Sequence, residues 1–332
     1  MSARADEADR PILVVPFQWI GDFVRAHTAV RLLASRFPGR PIDIVATPLC
    51  APLTRFMPGV RSAVVRPHVR GRFQLVAEWA FAKRLREHGY GRAIVMPGTL
   101  KSAVAPFLAR IPKRTGWRGE MRYGLLNDLR NGEYGHAHIG VRCGLLALPA
   151  GASAPRDLPP PQLIVPEAEI AGWRQRAGIG RNHRPVIALA PGSNGPERRW
   201  PVERYAELAA LAALADYAVW VMGGPAEAEM ANVIRAALPA GALDDFRDFT
   251  DTDLADAVCQ ASAADVFVGN DSGLLHLAAA TGTPCIAVYL ASFHDRTGPF
   301  NENVVPMRAE PGASLDADDV FAQLAALVPQ TQ

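Results

Sequence analysis

Residues 186–222 read VIALAPGSNGPERRWPVERYAELAALAALADYAVWVM. Val186 to Ala190 is an unbroken apolar run that stops at Pro191-Gly192-Ser193-Asn194-Gly195, a cluster of turn-forming residues, so it predicts a buried strand. From Val202 to Leu214 the apolar residues return at helical spacing, and Ala218 to Met222 is again short, apolar and partly β-branched. Strand, helix and strand in so short a span form a βαβ unit, whose two strands run parallel because the connection is a crossover.

Outward from that unit the alternation continues. Towards the C-terminus it predicts helices Ala226 to Leu238 and Leu254 to Ala261, strand Val266 to Gly269, helix Gly273 to Thr281, strand Cys285 to Tyr289 and a closing helix Ala317 to Leu327. Towards the N-terminus it predicts strands Ile12 to Val15, Ile42 to Ala46, Ala63 to Arg66 and Ala93 to Met96, with helices Phe23 to Arg36, Leu75 to His88 and Leu100 to Ala109. Such a pattern is the signature of layered, parallel α/β structure. Between the two series lies Leu148 to Gln162, LPAGASAPRDLPPPQ, where Pro, Gly, Ala and Ser dominate and no period survives. The 332 residues suit two domains, 1–150 and 163–332, joined by a Pro-rich linker over 151–162, with a ligand expected between them.

Composition excludes disorder: 49% of residues are hydrophobic and 20% charged. The polar, acidic Met1 to Arg10 leads directly into Ile12 to Val15, so neither an export signal nor a membrane span is expected. Cys50, Cys143, Cys259 and Cys285 lack metal-site spacing and read as buried thiols in a reducing compartment. The net charge of +2 hides an asymmetry, because residues 1–150 carry 23 Lys and Arg against 10 Asp and Glu, and residues 151–332 carry 12 against 23. A first half at +13 suggests an anionic partner: a membrane surface, a phosphorylated lipid or a nucleic acid. Against nucleic acid, that half has no stripe of aromatics interleaved with basic residues.

Four loops carry candidate chemistry. After the first strand, Pro16-Phe17-Gln18-Trp19-Ile20-Gly21-Asp22 puts Asp22 at the carboxyl edge of a sheet, where functional groups collect; the same aspartate would also suit a helix cap. No GxGxxG occurs there, which counts against a nicotinamide enzyme. In the second half, Ser193, Asn194 and Arg198 sit in a Gly-rich loop able to wrap a diphosphate, although an ordinary strand-to-helix turn reads the same way. Glu227 and Glu229 follow another strand end, placed either for ribose hydroxyls or simply for a helix dipole. Asp271, Ser272, Gly273 and His276 open an Ala-rich helix, a ready anion site or a plain N-cap. Metal has no evident place, since no paired carboxylates lie near the diphosphate loop.

Taken together these motifs resemble the lipopolysaccharide heptosyltransferases, glycosyltransferase family 9, over nearly the whole chain. The likeness is closest from Lys101-Ser102-Ala103 through the run Arg114-Thr115-Gly116-Trp117-Arg118-Gly119-Glu120-Met121-Arg122-Tyr123-Gly124-Leu125-Leu126-Asn127-Asp128, which looks like the members adding the second inner-core heptose. The resemblance implies a GT-B fold of two Rossmann-like domains, with the acceptor on the first and the nucleotide sugar on the second. By that likeness Asp22 is the general base, and Ser193, Asn194 and Arg198 meet the diphosphate. Glu227 or Glu229 meets the ribose, and Asp271, Ser272, Gly273 and His276 close the donor site. Lys101, Arg114, Arg118 and Arg122 are the expected acceptor contacts. The implied donor is ADP-heptose with no further cofactor, the implied acceptor an anionic lipid A core, and the implied location the cytoplasmic face of the inner membrane. The chain departs from the family pattern at Arg198, where Lys is usual, and at Leu290-Ala291, where Gly-Pro is usual. A GT-B epimerase or a non-catalytic nucleotide binder would share the fold.

Overall fold

The computed structural model describes residues 9–66, 75–180, 184–308 and 314–328, and the chain divides into two compact units, 1–161 and 162–332.

The first unit is built on β1 (Ile12–Val15), β2 (Ile42–Ala46), β3 (Ser62–Val65), β4 (Arg92–Val95), β5 (Lys113–Trp117) and β6 (Asp128–Arg130). Its helices are α1 (Ile20–Arg25), α2 (His27–Arg36), α3 (Leu75–Glu87), α4 (Leu100–Leu108) and α5 (Ile139–Ala147). All the strands are parallel, in the order β3-β2-β1-β4-β5-β6. The second unit adds α6 (Glu167–Arg176), β7 (Val186–Ala190), α7 (Val202–Leu214), β8 (Ala218–Met222), α8 (Ala228–Ala236), β9 (Arg247–Phe249) and α9 (Leu254–Ala263). It continues with β10 (Val266–Asn270), α10 (Gly273–Thr281), β11 (Cys285–Tyr289), α11 (His294–Thr297), β12 (Val304–Arg308) and α12 (Ala317–Leu327). Its order, β12-β11-β10-β7-β8-β9, repeats the topology of the first sheet. Both are doubly wound Rossmann sheets.

The central strands β1, β7, β8 and β11 are apolar and buried along their whole length because helices cover both faces of a parallel sheet. A tight aromatic cluster sits where α6 meets β8 and β9. Trp173, Trp220 and Phe249 pack edge to face with ring centroids 5.5 to 5.7 Å apart. The one charge inside β2, Asp43, accepts from Arg61, Ser62 and Tyr90, and these bonds hold its carboxyl below the usual carboxylate range despite burial.

The structure contains elements that periodicity does not announce. β5 (KRTGW), β6 (DLR) and β9 (RDF) are short and charged, and β12 (VVPMR) carries a proline that only a sheet edge tolerates. α6 buries only Trp173 and so shows no apolar stripe. The predicted helix Phe23 to Arg36 is broken at Ala26 into α1 and α2.

Two local constraints shape the carboxyl edge of the first sheet. The loops after β4 and β5 touch at glycines: Glu120 N–H donates to Gly98 O at 2.9 Å, and a Cβ on Gly119 would collide with that carbonyl. His27, fully buried at the start of α2, donates from Nε2–H to Pro58 O at 2.8 Å, and burial drives its imidazole pKa from 6.5 down to about 4. Gly119→Ala should therefore destabilise the first unit by about 1–3 kcal/mol in urea titrations, the usual cost of overpacking. Because neutral His27 takes up its proton only on unfolding, stability should fall as pH drops from 6.5 towards 4 and lose about 3 kcal/mol in full below that. His27→Gln should flatten this part of the pH–stability curve.

Candidate functional site

In a doubly wound sheet, neighbouring strands whose chains depart to opposite sides leave a crevice beyond their carboxyl ends. In the second unit those strands are β7 and β10. The loop after β7, from Pro191 to Pro201, is braced there by Asn270, a buried side chain at the last position of β10. Its Oδ1 accepts from Trp200 N–H at 2.9 Å and its Nδ2 donates to Pro191 O at 2.7 Å, pinning both ends of the loop. Ser193 Oγ donates to Asp271 O at 3.1 Å, and Arg199 Nε donates to Ser193 O at 3.0 Å. The Trp200 indole donates to Leu315 O at 2.9 Å, anchoring the loop to the segment before α12.

Asp271 is the hub of this edge. Its buried carboxylate lies 4.0 Å from Arg198 Nη1, lies 4.0 Å from His276 Nε2, and accepts from Thr297 Oγ1 at 3.1 Å. Ser272, the N-cap of α10, has extended backbone and makes no side-chain cap; its Oγ is buried and has no hydrogen-bond partner among the described residues, beside the N–H groups of the first turn. A buried hydroxyl without a partner is costly, so a ligand oxygen there would relieve it. Asn194 is exposed on the loop above. Glu227 is held across the loops after β7 and β8: Gly224 N–H donates to its Oε2 at 2.8 Å, and a Cβ on Gly192 would lie 2.7 Å from its Cγ. Glu229 is exposed on the first turn of α8. The structure thus brings Ser193, Arg198, Asp271, Ser272, Gly273, His276 and, beside them, Glu227 to one sheet edge.

The corresponding strands of the first unit are β1 and β4. Asp22 does not cap α1. The N-cap is Trp19, without a side-chain cap bond, and the Asp22 carboxylate instead pairs with the buried guanidinium of Arg25 one turn on. Nearby is a cavity of about 440 Å³ whose lining includes Phe17, Gly98, Trp117, Glu133, Arg142 and Cys143. Burial pushes the Glu133 carboxyl up, against the pull of Arg142 and Arg122. Burial also raises the Cys143 thiol to about 12, so it stays neutral, and α1, which carries Asp22, packs against α5, which carries Arg142 and Cys143.

The four expected acceptor contacts separate. Lys101, in the first turn of α4, and the exposed Arg118, whose guanidinium lies over the Tyr123 ring at 5.8 Å, stand on the carboxyl edge. Arg114 does not: it sits near the amino end of β5, donates to Leu125 O at 2.6 Å and to Ile111 O, and covers the Phe107 ring. Arg122 is only 1% exposed, and its guanidinium is taken up by Trp117 O and Pro97 O. Both arginines are therefore withdrawn from the acceptor set. Arg122, buried, and Arg114, half-buried, spend their guanidiniums on main-chain carbonyls, while Trp117, Gly119 and Glu120 of the same run line the cavity. Glu120 belongs to it as well, accepting from Leu100 N–H at 2.7 Å at the start of α4.

Sequence reasoning missed Asn270, Thr297, Glu133 and Arg142. Asn270 adjoins Asp271 and ends an apolar strand, which is a usable signal; Thr297 reaches the hub from α11, 26 residues further on, and carries none. Tyr289, just before the Leu290-Ala291 departure from the family pattern, packs its ring edge-on against His294 at 5.6 Å, and α11 thereby walls the hub. Among the described residues no group of three or more His, Cys, Asp or Glu is arranged to hold a metal ion.

The model for glycosyltransferase family 9 (heptosyltransferase) matches residues 78–323. Lipopolysaccharide heptosyltransferase 2 of Salmonella typhimurium is 38% identical over 305 residues, covering 90% of this chain and 87% of that protein. Lipooligosaccharide heptosyltransferase 2 of Haemophilus influenzae is 36% identical over 311 residues, covering 90% and 88%. The solved structure of Escherichia coli ADP-heptose lipopolysaccharide heptosyltransferase II superposes with a TM-score of 0.87 at 35% identity, over 96% of this chain and 98% of that one. With such agreement across nearly its full length, and with two Rossmann units of the GT-B type, the chain belongs to glycosyltransferase family 9, the heptosyltransferases.

Proposed function

We propose that this glycosyltransferase moves L-glycero-D-manno-heptose from ADP-heptose onto the heptosyl-Kdo-lipid A inner core, with inversion at the anomeric carbon. The observation that carries the reading is the Asp271 hub. It gathers at one sheet edge a guanidinium, a histidine and a helix start whose Ser272 hydroxyl has no partner among the described residues, the combination a diphosphate leaving group requires. The relatives' names supply the donor and the class of acceptor.

In this reading the diphosphate lies against Ser193, Asn194, Arg198 and the α10 start, with Glu227 on the ribose. Glu229, exposed one residue beyond the start of α8, is the weaker candidate for that contact. The acceptor sugar occupies the cavity lined by Phe17, Trp117, Glu133 and Arg142, and its acidic neighbours meet Lys101 and Arg118. Asp22 takes the proton of the acceptor hydroxyl as that oxygen bonds to the anomeric carbon. The bond from that carbon to the β-phosphate oxygen breaks, and ADP departs with the electron pair, stabilised by Arg198 and the helix dipole. Arg198 retains the charge of the usual Lys while offering a planar fork, so it changes the geometry of the phosphate contact rather than its sign. Neither a metal nor another cofactor enters the scheme. No helix among the described residues is long and apolar enough to cross a membrane. The enzyme would work attached peripherally to the cytoplasmic face of the inner membrane, with no nucleic-acid partner.

Asp22→Asn should lower turnover at least about a hundredfold, the low end for a positioned base, while calorimetry finds ADP affinity unchanged. Near-normal turnover would leave Asp22 as nothing more than the partner of Arg25. Raising the salt from about 0.1 to about 0.5 M should weaken acceptor binding more than ADP binding, because the acceptor contacts are cations, Arg118 exposed and Lys101 half-buried. Equal loss for both ligands would remove Lys101 and Arg118 from the acceptor site. Mass spectrometry of the product should show the gain of one heptose.

A further inference from the structure

Large apolar side chains stand exposed along one stretch of the first unit. Trp19 (57% exposed) follows β1, Leu49 (57%) follows β2, and Leu75 (67%), Val76 (82%) and Trp79 (60%) occupy the first two turns of α3, which follows β3. Because β3, β2 and β1 are parallel neighbours in that order, all three groups leave the sheet at the same carboxyl edge. The edge is tied together locally. Cys50 Sγ lies 3.8 Å from Gln18 O, Arg66 N–H donates to Ala46 O at 2.9 Å, and Arg66 pairs with the buried Glu78 on the inner face of α3. Val76 and Trp79 therefore point away from the core, one turn apart on the outer face, and Lys83 continues their stripe. The exposed charges of α3 are Lys83, Arg84 and Arg86 against Glu87, but Arg84 and Arg86 lie in its last turn and donate to Val65 O at 3.4 Å and Leu108 O at 2.6 Å; Arg55 is exposed beyond β2.

We infer that this rim is where the enzyme docks on an anionic bilayer surface, with Val76 and Trp79 entering the interface and Lys83, on the same helix face, meeting lipid phosphates. Single exposed apolar residues are ordinary, but five at one edge are not. Trp is the residue that favours the boundary between headgroups and acyl chains, and basic residues around an apolar wedge add attraction to anionic lipid. Residues 1–150 carry the charge such a surface selects, +13. The rim also flanks Asp22, which opens from the same edge of the same sheet, so a lipid-anchored acceptor would present its sugar beside the base. The inference rests on the proposed reaction for this last point only.

The test is sedimentation of the full chain with vesicles of phosphatidylethanolamine and phosphatidylglycerol, beside vesicles of phosphatidylcholine. The wild-type chain should pellet with the anionic vesicles. Val76→Ser/Trp79→Ser should partition about tenfold less, since two wedge side chains lose their gain from burial, and Lys83→Glu should lose part of the preference for anionic lipid. Rates are then compared on a vesicle-embedded acceptor and on the same acceptor stripped of acyl chains. The double variant should be slow on the first and unchanged on the second. Equal pelleting of wild type and double variant overturns the inference, as does an equal loss of rate on both acceptors. Light scattering that shows a wild-type dimer and a monomeric variant would assign the rim to a second copy of the chain instead. If neither acceptor is glycosylated by the wild type, the proposed reaction fails, and sedimentation still scores the surface.

Discussion

The rest of the structure depends on one topological constraint: in an all-parallel sheet every strand delivers its chain to the same edge, and the winding order reverses once. Both units wind as 3-2-1-4-5-6, so each opens a crevice at one place, beyond β1 and β4 or beyond β7 and β10. Asp22 and the cavity beside Trp117 belong to the first of these; the Asp271 hub belongs to the second. Residues distant in sequence, such as Arg198 and Asp271, come within 4.0 Å because the strands that carry their loops are neighbours.

Around those crevices, buried polar side chains do the fixing. Asn270 holds the loop after β7 at both ends, Arg122 ties the loops after β4 and β5, and Glu227 braces two glycine turns. A buried polar group must find partners, so each of these side chains admits few loop shapes. That is why cations and amides lie at the heart of segments that would otherwise be free to wander. Site geometry here comes from satisfied hydrogen bonds in loops, and stability comes from the apolar strands beneath them.

Family resemblance and local chemistry agree on the second unit. Ser193, Arg198, Asp271, Ser272, Gly273 and His276 fall in separate short motifs of the sequence, and they converge because each follows, or begins the helix after, an adjacent strand. In the first unit the expected acceptor contacts divide by what each guanidinium bonds. Arg114 and Arg122 are cations in a basic segment and look like anion contacts, yet the structure spends both on main-chain carbonyls. Sequence shows that a residue is charged, but whether its charge faces solvent depends on which carbonyls the fold leaves open.

From the sequence alone came the alternation of short apolar runs and amphipathic stretches, and with it the class of fold, most central strands and helices, the opposed charges of the two halves and the family. These are local properties: the period of side-chain burial, the chemistry of turns and a long unusual motif are all written in consecutive residues. Only tertiary structure decided that Asp22 pairs with Arg25 rather than capping its helix, that Thr297 and Asn270 belong to the Asp271 site, and that the short charged strands β5, β6 and β9 exist at all. Those outcomes depend on contacts between segments far apart in the chain, where pairing with a neighbouring strand, or hydrogen bonding to a distant carbonyl, outweighs whatever each residue prefers locally.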